Sequence, residues 1–223
     1  MAVPTTVDPD TELSAVNTIL GAIGQSPVTT LGTVSTVNNV STYQNPEIAF
    51  IYNILKECSL DIQNEGWTFN KENYVKQTPD ANKEILVANN ILSMDLNNPG
   101  DKDYDLIIKT HNGVKKLYDK LAVNDTDHTP YEFDNEIYVD IVYWYEYNDL
   151  PSVFKRYVTS KAATRAATQL ITNPQLVQIL TVQEQVARSA IVEWECNQGD
   201  HNFLGYSKDY SYSTYKPYRS LRR

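Results

Sequence analysis

The stretch that most constrains the fold runs from Asn45 to Asn70, NPEIAFIYNILKECSLDIQNEGWTFN, and it predicts one long helix. Asn45 can accept a hydrogen bond from a first-turn amide, and Pro46 fits the first helical position because it has no amide hydrogen to leave unpaired. Gly66 can adopt the left-handed conformation that ends a helix, and the alternating aromatic residues after it predict an exit as a strand. Apolar residues at helical spacing predict one buried face: Ile48, Ile51, Tyr52, Leu55, Cys58 and Ile62.

Three further segments predict helices. The first runs from Thr11 to Gly24 and the second from Asp149 to Thr172. Asn173-Pro174 stops the second and starts the last, which runs to about Gln198. The last two helices are expected to pack antiparallel because the link between them is so short. Together with the first two helices they are predicted to form an antiparallel four-helix bundle. The last helix carries a long apolar stripe: Leu176, Ile179, Leu180, Val186, Ala187, Ala190, Ile191 and Trp194.

The chain changes character between residues 67 and 148, where β-branched and aromatic residues predict short strands. Asn112-Gly113 lies between two such runs and is a strong hairpin signal. Glu136–Tyr147 is apolar on both faces, which predicts a central or doubly covered strand. The predicted strands are Asn73–Gln77, Glu84–Asn89, Asp105–Lys109, Lys115–Tyr118 and Glu136–Tyr147.

The predicted fold class is mainly α with a β-rich insertion (α+β): an antiparallel four-helix bundle, a small antiparallel β region and an extended C-terminal tail. Residues 1–66 and 149–199 are the predicted halves of the bundle, residues 67–148 the insertion and residues 200–223 the tail. The tail alternates tyrosine with polar and basic residues, a composition that offers aromatic anchors and positive charge to a partner. The candidate partner-binding residues are Tyr206, Tyr210, Tyr212, Tyr215, Tyr218, Arg219, Arg222 and Arg223.

Charge and cysteine content narrow the possible functions. The chain of 223 residues has a net charge of −9, although its last 24 residues carry five basic residues against two acidic ones. An acidic body argues against wrapping DNA, because phosphate contacts need basic side chains. Cys58 and Cys196 both fall in predicted helices and are expected to be reduced and buried. The N-terminus has no signal-peptide pattern, and no apolar run is long enough to span a membrane.

The sequence does not match the motifs of known catalytic and metal sites. His111, His128 and His201 have no cysteine or histidine at zinc-ligand spacing. The acidic residues at 101, 103 and 105 open like a calcium loop, but Leu106 and Asn112 stand where glycine and glutamate are needed. Asp125 and Asp127 beside His128 are more simply read as a polar loop. We therefore predict no enzyme activity, no metal and no cofactor.

Three stretches carry a family resemblance. Gly66–Asn70 (GWTFN) after a long helix, the opening segment Glu12–Val28 and the segment Asn148–Ala162 (NDLPSVFKRYVTSKA) resemble tail tubular protein A, the head-to-tail adaptor of short-tailed, autographivirus-type phages. Their order and spacing agree with that family across almost the whole chain, although none is a catalytic signature. The long Thr/Ser/Asn connection at Thr29–Gln44 and the tyrosine-rich tail depart from the family pattern.

The resemblance implies a structural virion protein of the phage tail, assembled in the host cytoplasm. Members of that family form a ring of twelve subunits between the portal protein and the tail nozzle protein, tail tubular protein B, and the ring lines the DNA conduit. The implied partners are further copies of the chain, the portal, the nozzle and tail fibres, with DNA passing through without specific binding and no membrane involved. Two alternatives stay open: an accessory glycan hydrolase, which needs two suitably spaced carboxylates, and a nucleic-acid-binding module that uses the tail.

Overall fold

The computed structural model describes residues 10–31, 35–37, 40–42, 45–96, 104–124, 129–171 and 173–199. In this part of the chain there are four α-helices, seven β-strands and two short 3-10 helices, Leu121–Asn124 and Tyr147–Asp149. The α-helices are α1 (Glu12–Ala22), α2 (Pro46–Gln63), α3 (Ser152–Leu170) and α4 (Pro174–Gln198). The strands are β1 (Ser35–Val37), β2 (Val40–Thr42), β3 (Lys71–Gln77), β4 (Ile91–Leu96), β5 (Leu106–His111), β6 (Val114–Asp119) and β7 (Ile137–Tyr143).

The chain divides into two compact units. Unit 1 comprises the described residues of Met1–Ile62 and Tyr145–Cys196, and so contains nearly all of the four helices. Unit 2 is built mainly from Gln63–Trp144 and contains β3 to β7. The strands form three antiparallel sheets: β1 with β2, β5 with β6, and a three-stranded sheet in the order β3-β7-β4. The fold is therefore α+β, with helices and sheets both making up a substantial part of it.

The predicted antiparallel four-helix bundle is wrong, and so is the description of the fold as mainly α. Among the described helices, α1 and α3 run in close backbone contact, whereas no other helix pair approaches closely along its length. A bundle helix must bury a side chain at nearly every turn, but α4 buries only Leu180 and Ile191 in 25 residues. Ile179 and Val186 were assigned to its core stripe but are exposed. The short connection between α3 and α4 made them neighbours without creating a bundle.

The helix boundaries predicted from capping residues are confirmed. The Asn45 side-chain oxygen accepts a hydrogen bond from the Glu47 amide at 2.9 Å, and α2 begins at Pro46. Gly66 adopts φ +73° just beyond the end of α2, and its amide donates to the Gln63 carbonyl. Asn173 repeats this arrangement at the start of α4, where its side-chain oxygen accepts from the Gln175 amide at 3.1 Å.

Unit 2 has a core of its own, built from alternate residues of its strands. β7 is the central strand of the three-stranded sheet, as its two apolar faces predicted, and Ile137, Val139 and Ile141 are buried on it. The β5–β6 hairpin turns at Asn112 and Gly113, both with positive φ, as the Asn-Gly pair predicted. The remaining members of the core cluster are Ile85, Val87, Ile91, Met94, Leu106, Leu117 and Phe133.

The Asn70 side chain holds together the two ends of the chain segment that forms unit 2. It is 1% exposed, and its amide nitrogen donates to the carbonyls of Gln63 and Tyr143, each at 2.9 Å. Its oxygen accepts from the Trp67 amide at 2.8 Å. One asparagine thus links the end of α2, the turn after it and the end of β7. The segment after Gly66 is a turn rather than the predicted strand, and β3 begins only at Lys71.

Candidate assembly surface

Helix α3 is the element around which unit 1 is organised. It buries eight residues, four of which are alanines that allow α1 to approach closely. Arg165 on α3 donates to Glu57 of α2 at 2.6 Å and lies 3.9 Å from Asp61, which links α3 to α2. The Tyr147 hydroxyl, buried beside α3, lies 2.9 Å from the Thr159 hydroxyl. Burial raises the pKa of Tyr147 to about 12, although the hydrogen bond with Thr159 acts in the opposite direction.

Helix α4 is attached to α3 along one face only. Leu180 and Ile191 are buried on that face, and the Trp194 ring meets the Phe154 ring edge-on at 5.3 Å between centroids. A second row of apolar side chains lies on another side of the same helix. These side chains are exposed to solvent in the part of the chain that the structure describes. We call this row the α4 stripe: Ile179, Val182 and Val186, which are 58%, 59% and 66% exposed.

The α4 stripe borders a groove between α3 and α4 of about 470 Å³. Arg156 is the one charged residue among those that line it, and it forms no ion pair with any described residue. The other lining residues are Val153, Ser160, Val182, Gln183, Val186, Ala187 and Ala190. The groove therefore offers a mainly apolar surface with a single positively charged side chain.

A second groove of about 470 Å³ lies where α1, α2 and the end of α3 meet. Phe50 and Leu170 project from it and are 39% and 51% exposed. Glu47 is the one charged residue of its lining, and it too forms no ion pair among the described residues. We call this the α2–α3 groove; its other lining residues are Leu20, Ile23, Gln25, Pro46, Ile51 and Ile171.

Unit 2 displays an exposed aromatic pair, Tyr74 and Tyr138, whose rings stack at 4.8 Å. Tyr74 has φ +63° at an irregularity of edge strand β3, and its amide donates to the Asp140 carboxylate at 3.1 Å. Nearby Glu136 is ion-paired with Lys76, and the hydrogen bond from Lys76 lowers the pKa of the Glu136 carboxyl. A general acid for glycan cleavage needs a raised pKa, so this carboxylate is shifted in the wrong direction for that role.

The predicted partner-binding residues of the tail, Tyr206 to Arg223, all lie outside the described residues. Of the residues considered for metal or catalytic sites, His111 lies at the tip of the β5–β6 hairpin, with its ring 5.2 Å from that of Tyr131. Asp105 lies 3.4 Å from the Lys120 ammonium group. Asp101, Asp103, Asp125, Asp127, His128 and His201 lie outside the described part of the chain.

No group of three or more His, Cys, Asp or Glu side chains in the described part of the chain is arranged to hold a metal ion. None of the described helices combines the length and apolar character needed to cross a membrane.

The two cysteines differ in exposure, and the prediction that both are buried is wrong for one of them. Both are free; Cys58 is buried in α2, whereas Cys196 near the end of α4 is exposed. Burial raises the pKa of the Cys58 thiol, although a hydrogen bond with Arg165 opposes this shift.

Comparison with known proteins gives a family. The model of the tail tubular protein family matches residues 13–201, more than four-fifths of the chain. The chain belongs to the tail tubular protein family. It is thus a structural protein of the phage tail, which confirms the resemblance seen in the sequence. No curated protein matches the chain.

In this tail tubular protein, sequence reasoning missed the surfaces that the fold leaves uncovered. The prediction placed Ile179 and Val186 in one core stripe with Leu180 and Ile191, and it did not include Val182. At about 100° per residue, however, Ile179, Val182 and Val186 fall roughly 100° or more around the helix from Leu180 and Ile191. That spacing was present in the sequence and could have shown two apolar rows on one helix. Phe50 and Leu170 gave no such signal, since each is a single apolar residue near a helix end.

Proposed function

We propose that this tail tubular protein is the head-to-tail adaptor of its phage. It forms a ring, with twelve subunits as the resemblance implies, between the portal and the nozzle, and the ring encloses the path of the DNA. Assembly takes place in the host cytoplasm before the particle is complete. Family membership and the three matching sequence stretches support this role over that of other tail components.

The observation that carries the proposal is the α4 stripe. Soluble monomers seldom leave a row of large apolar side chains in water, and such rows mark surfaces that another protein covers. Three valine or isoleucine side chains, each more than half exposed, lie on one side of a helix that contacts α3 on another face. A structural subunit that works only inside an assembly has this kind of surface.

The charge of the chain suits a conduit. With a net charge of −9, the subunit repels the phosphate backbone rather than holding it, so DNA can pass without being retained. The basic, tyrosine-rich residues Tyr206–Arg223 provide anchors for the portal or for a neighbouring copy. Salt dependence would distinguish DNA binding by these residues from anchoring to a protein. DNA binding weakens steeply as the salt concentration rises, whereas anchoring by aromatic side chains does not.

Electron microscopy of the purified protein mixed with the portal from the same genome tests the proposal. A ring of twelve copies on the tail-facing end of the portal is expected. Failure to bind the portal at any salt concentration would refute the adaptor role.

A truncated chain that lacks Tyr206–Arg223 tests the tail in the same experiment. It should keep the circular dichroism spectrum of the full chain but fail to dock. Normal docking by this variant would show that the tail is not the anchor and would leave the adaptor role itself intact.

A further inference from the structure

Unit 1 carries two uncovered apolar surfaces that do not overlap. The α4 stripe and its groove lie beside the first half of α3, at Val153, Arg156 and Ser160. The α2–α3 groove lies at the other end of the same helix, at Leu170. A rise of 1.5 Å per residue places Arg156 and Leu170 about 20 Å apart along α3. The two surfaces are therefore separate sites on one rigid helix.

The two surfaces are opposite in charge and both apolar. Each is a groove of about 470 Å³; one is bordered by the exposed α4 stripe and the other by the exposed side chains of Phe50 and Leu170. Each contains a single charged side chain, Arg156 in the first and Glu47 in the second, and neither charge forms an ion pair with any described residue. A positive charge on one surface and a negative charge on the other can pair only if different surfaces meet.

We infer that copies of this chain bind each other through one repeated contact, in which the α4 stripe of one copy occupies the α2–α3 groove of the next. Arg156 of the first copy then pairs with Glu47 of the second. A contact between two different surfaces repeats from copy to copy and closes a ring when its rotation permits, whereas like surfaces meeting would give a dimer only. The inference rests on the proposed ring and specifies which surfaces build it.

Charge reversal tests the pairing. The variant Arg156→Glu places two carboxylates in every contact, and Glu47→Arg places two cations there. Each variant alone should associate roughly tenfold more weakly than the wild type, measured by sedimentation velocity over a concentration series with and without portal. An equimolar mixture should regain wild-type association, because the two variants can alternate so that every contact again joins opposite charges.

A second pair of variants tests the apolar row. Val186→Glu puts a charge into the stripe and should abolish association. Val192→Glu is the matched control: this valine is 48% exposed on the same helix, but it lies roughly 120° around the helix from the stripe. The control should associate like the wild type. Circular dichroism spectra of both variants should match the wild type, since neither position is buried.

The outcomes separate this inference from the proposed function. Loss in each single variant with recovery in the mixture supports the inference. Single variants that associate normally would overturn it and would mean that something else covers the stripe, such as residues 200–223 of the same chain. Loss without recovery in the mixture would overturn the pairing of unlike surfaces. A wild-type chain that binds portal only as isolated copies would overturn the contact and leave portal binding intact.

Discussion

Replacing Asn70 with alanine should strongly destabilise unit 2. The change removes three hydrogen bonds, to Gln63, Tyr143 and Trp67, in a site that is 1% exposed, although the Gln63 carbonyl keeps its bond from the Gly66 amide. Each lost bond contributes about 1 kcal/mol, and an unsatisfied buried group adds a desolvation penalty. We expect the free energy of unfolding to fall by about 3–5 kcal/mol.

Urea denaturation followed by tryptophan fluorescence measures this loss, since Trp67 and Trp144 both belong to unit 2. Asn82→Ala is the control, because Asn82 is an exposed asparagine of the same unit, and its substitution should change stability by no more than about 0.5 kcal/mol. If Asn70→Ala lowered the free energy of unfolding by less than about 1 kcal/mol, the three hydrogen bonds would not be what holds the two ends of unit 2 together.

Asn70→Asp refines the same test. The introduced carboxylate can still accept from the Trp67 amide, but its other oxygen faces the carbonyls of Gln63 and Tyr143. Two facing carbonyls disfavour the charged form, so the pKa of the introduced carboxyl is higher in the folded than in the unfolded chain. The folded state therefore binds the proton more tightly, and the stability of the variant should fall as pH rises through that pKa. If the loss in free energy of unfolding relative to the wild type stays the same between pH 4 and pH 7, this account is contradicted.

Three further predictions concern the backbone, the cysteines and one buried tyrosine. Gly66→Ala should lower the free energy of unfolding by about 1–2 kcal/mol because of its positive φ, whereas Gly21→Ala inside α1 should raise it by about 0.5–1 kcal/mol, both in urea titrations. A thiol reagent should label Cys196 alone in the native protein and Cys58 only after unfolding. Tyr147 binds its proton more tightly when folded, so wild-type stability should fall between pH 10 and about 12, and Tyr147→Phe should reduce that fall.

The features that the sequence predicted correctly are those decided within a few residues. The starts of α2 and α4 depend on Asn-Pro pairs. In each pair the asparagine side chain accepts hydrogen bonds from amides two or three positions further along the chain. The β5–β6 turn depends on Asn112 and Gly113, both of which tolerate positive φ. Each signal is a property of a short peptide, so no knowledge of the remaining chain was needed.

The features that it did not predict depend on distant partners. β4 was missed because Ile91–Leu96 has little β-branched character, and it is a strand because it pairs with β7, some 50 residues away. Glu84–Asn89 has a better strand composition but forms only one isolated bridge, at Leu86. Asn70 could not be recognised as a structural centre, because one of its partners is the Tyr143 carbonyl, 73 residues along the chain.

The candidate surface was missed for a related reason. An apolar residue on a helix is expected to lie in the core if another helix packs against it. The predicted four-helix bundle supplied such a neighbour for every side of α4 that carries apolar residues. Ile179 and Val186 are exposed because no described helix packs against that side of α4. The composition of a helix thus shows how much apolar surface it could bury. The tertiary fold decides how much of that surface stays exposed and can bind another protein.

The position of Asn70 has an evolutionary consequence. Its two donor bonds end on Gln63 and Tyr143, so the first and next-to-last residues of the Gln63–Trp144 segment lie within reach of a single side chain. A segment whose ends are adjacent behaves as an interchangeable cassette, since the loops and strands between the ends can grow, shrink or be replaced while the point of attachment stays the same. The β-rich part of this subunit is therefore expected to tolerate insertions and replacements between its ends, provided that a buried polar side chain keeps the bonds that Asn70 makes.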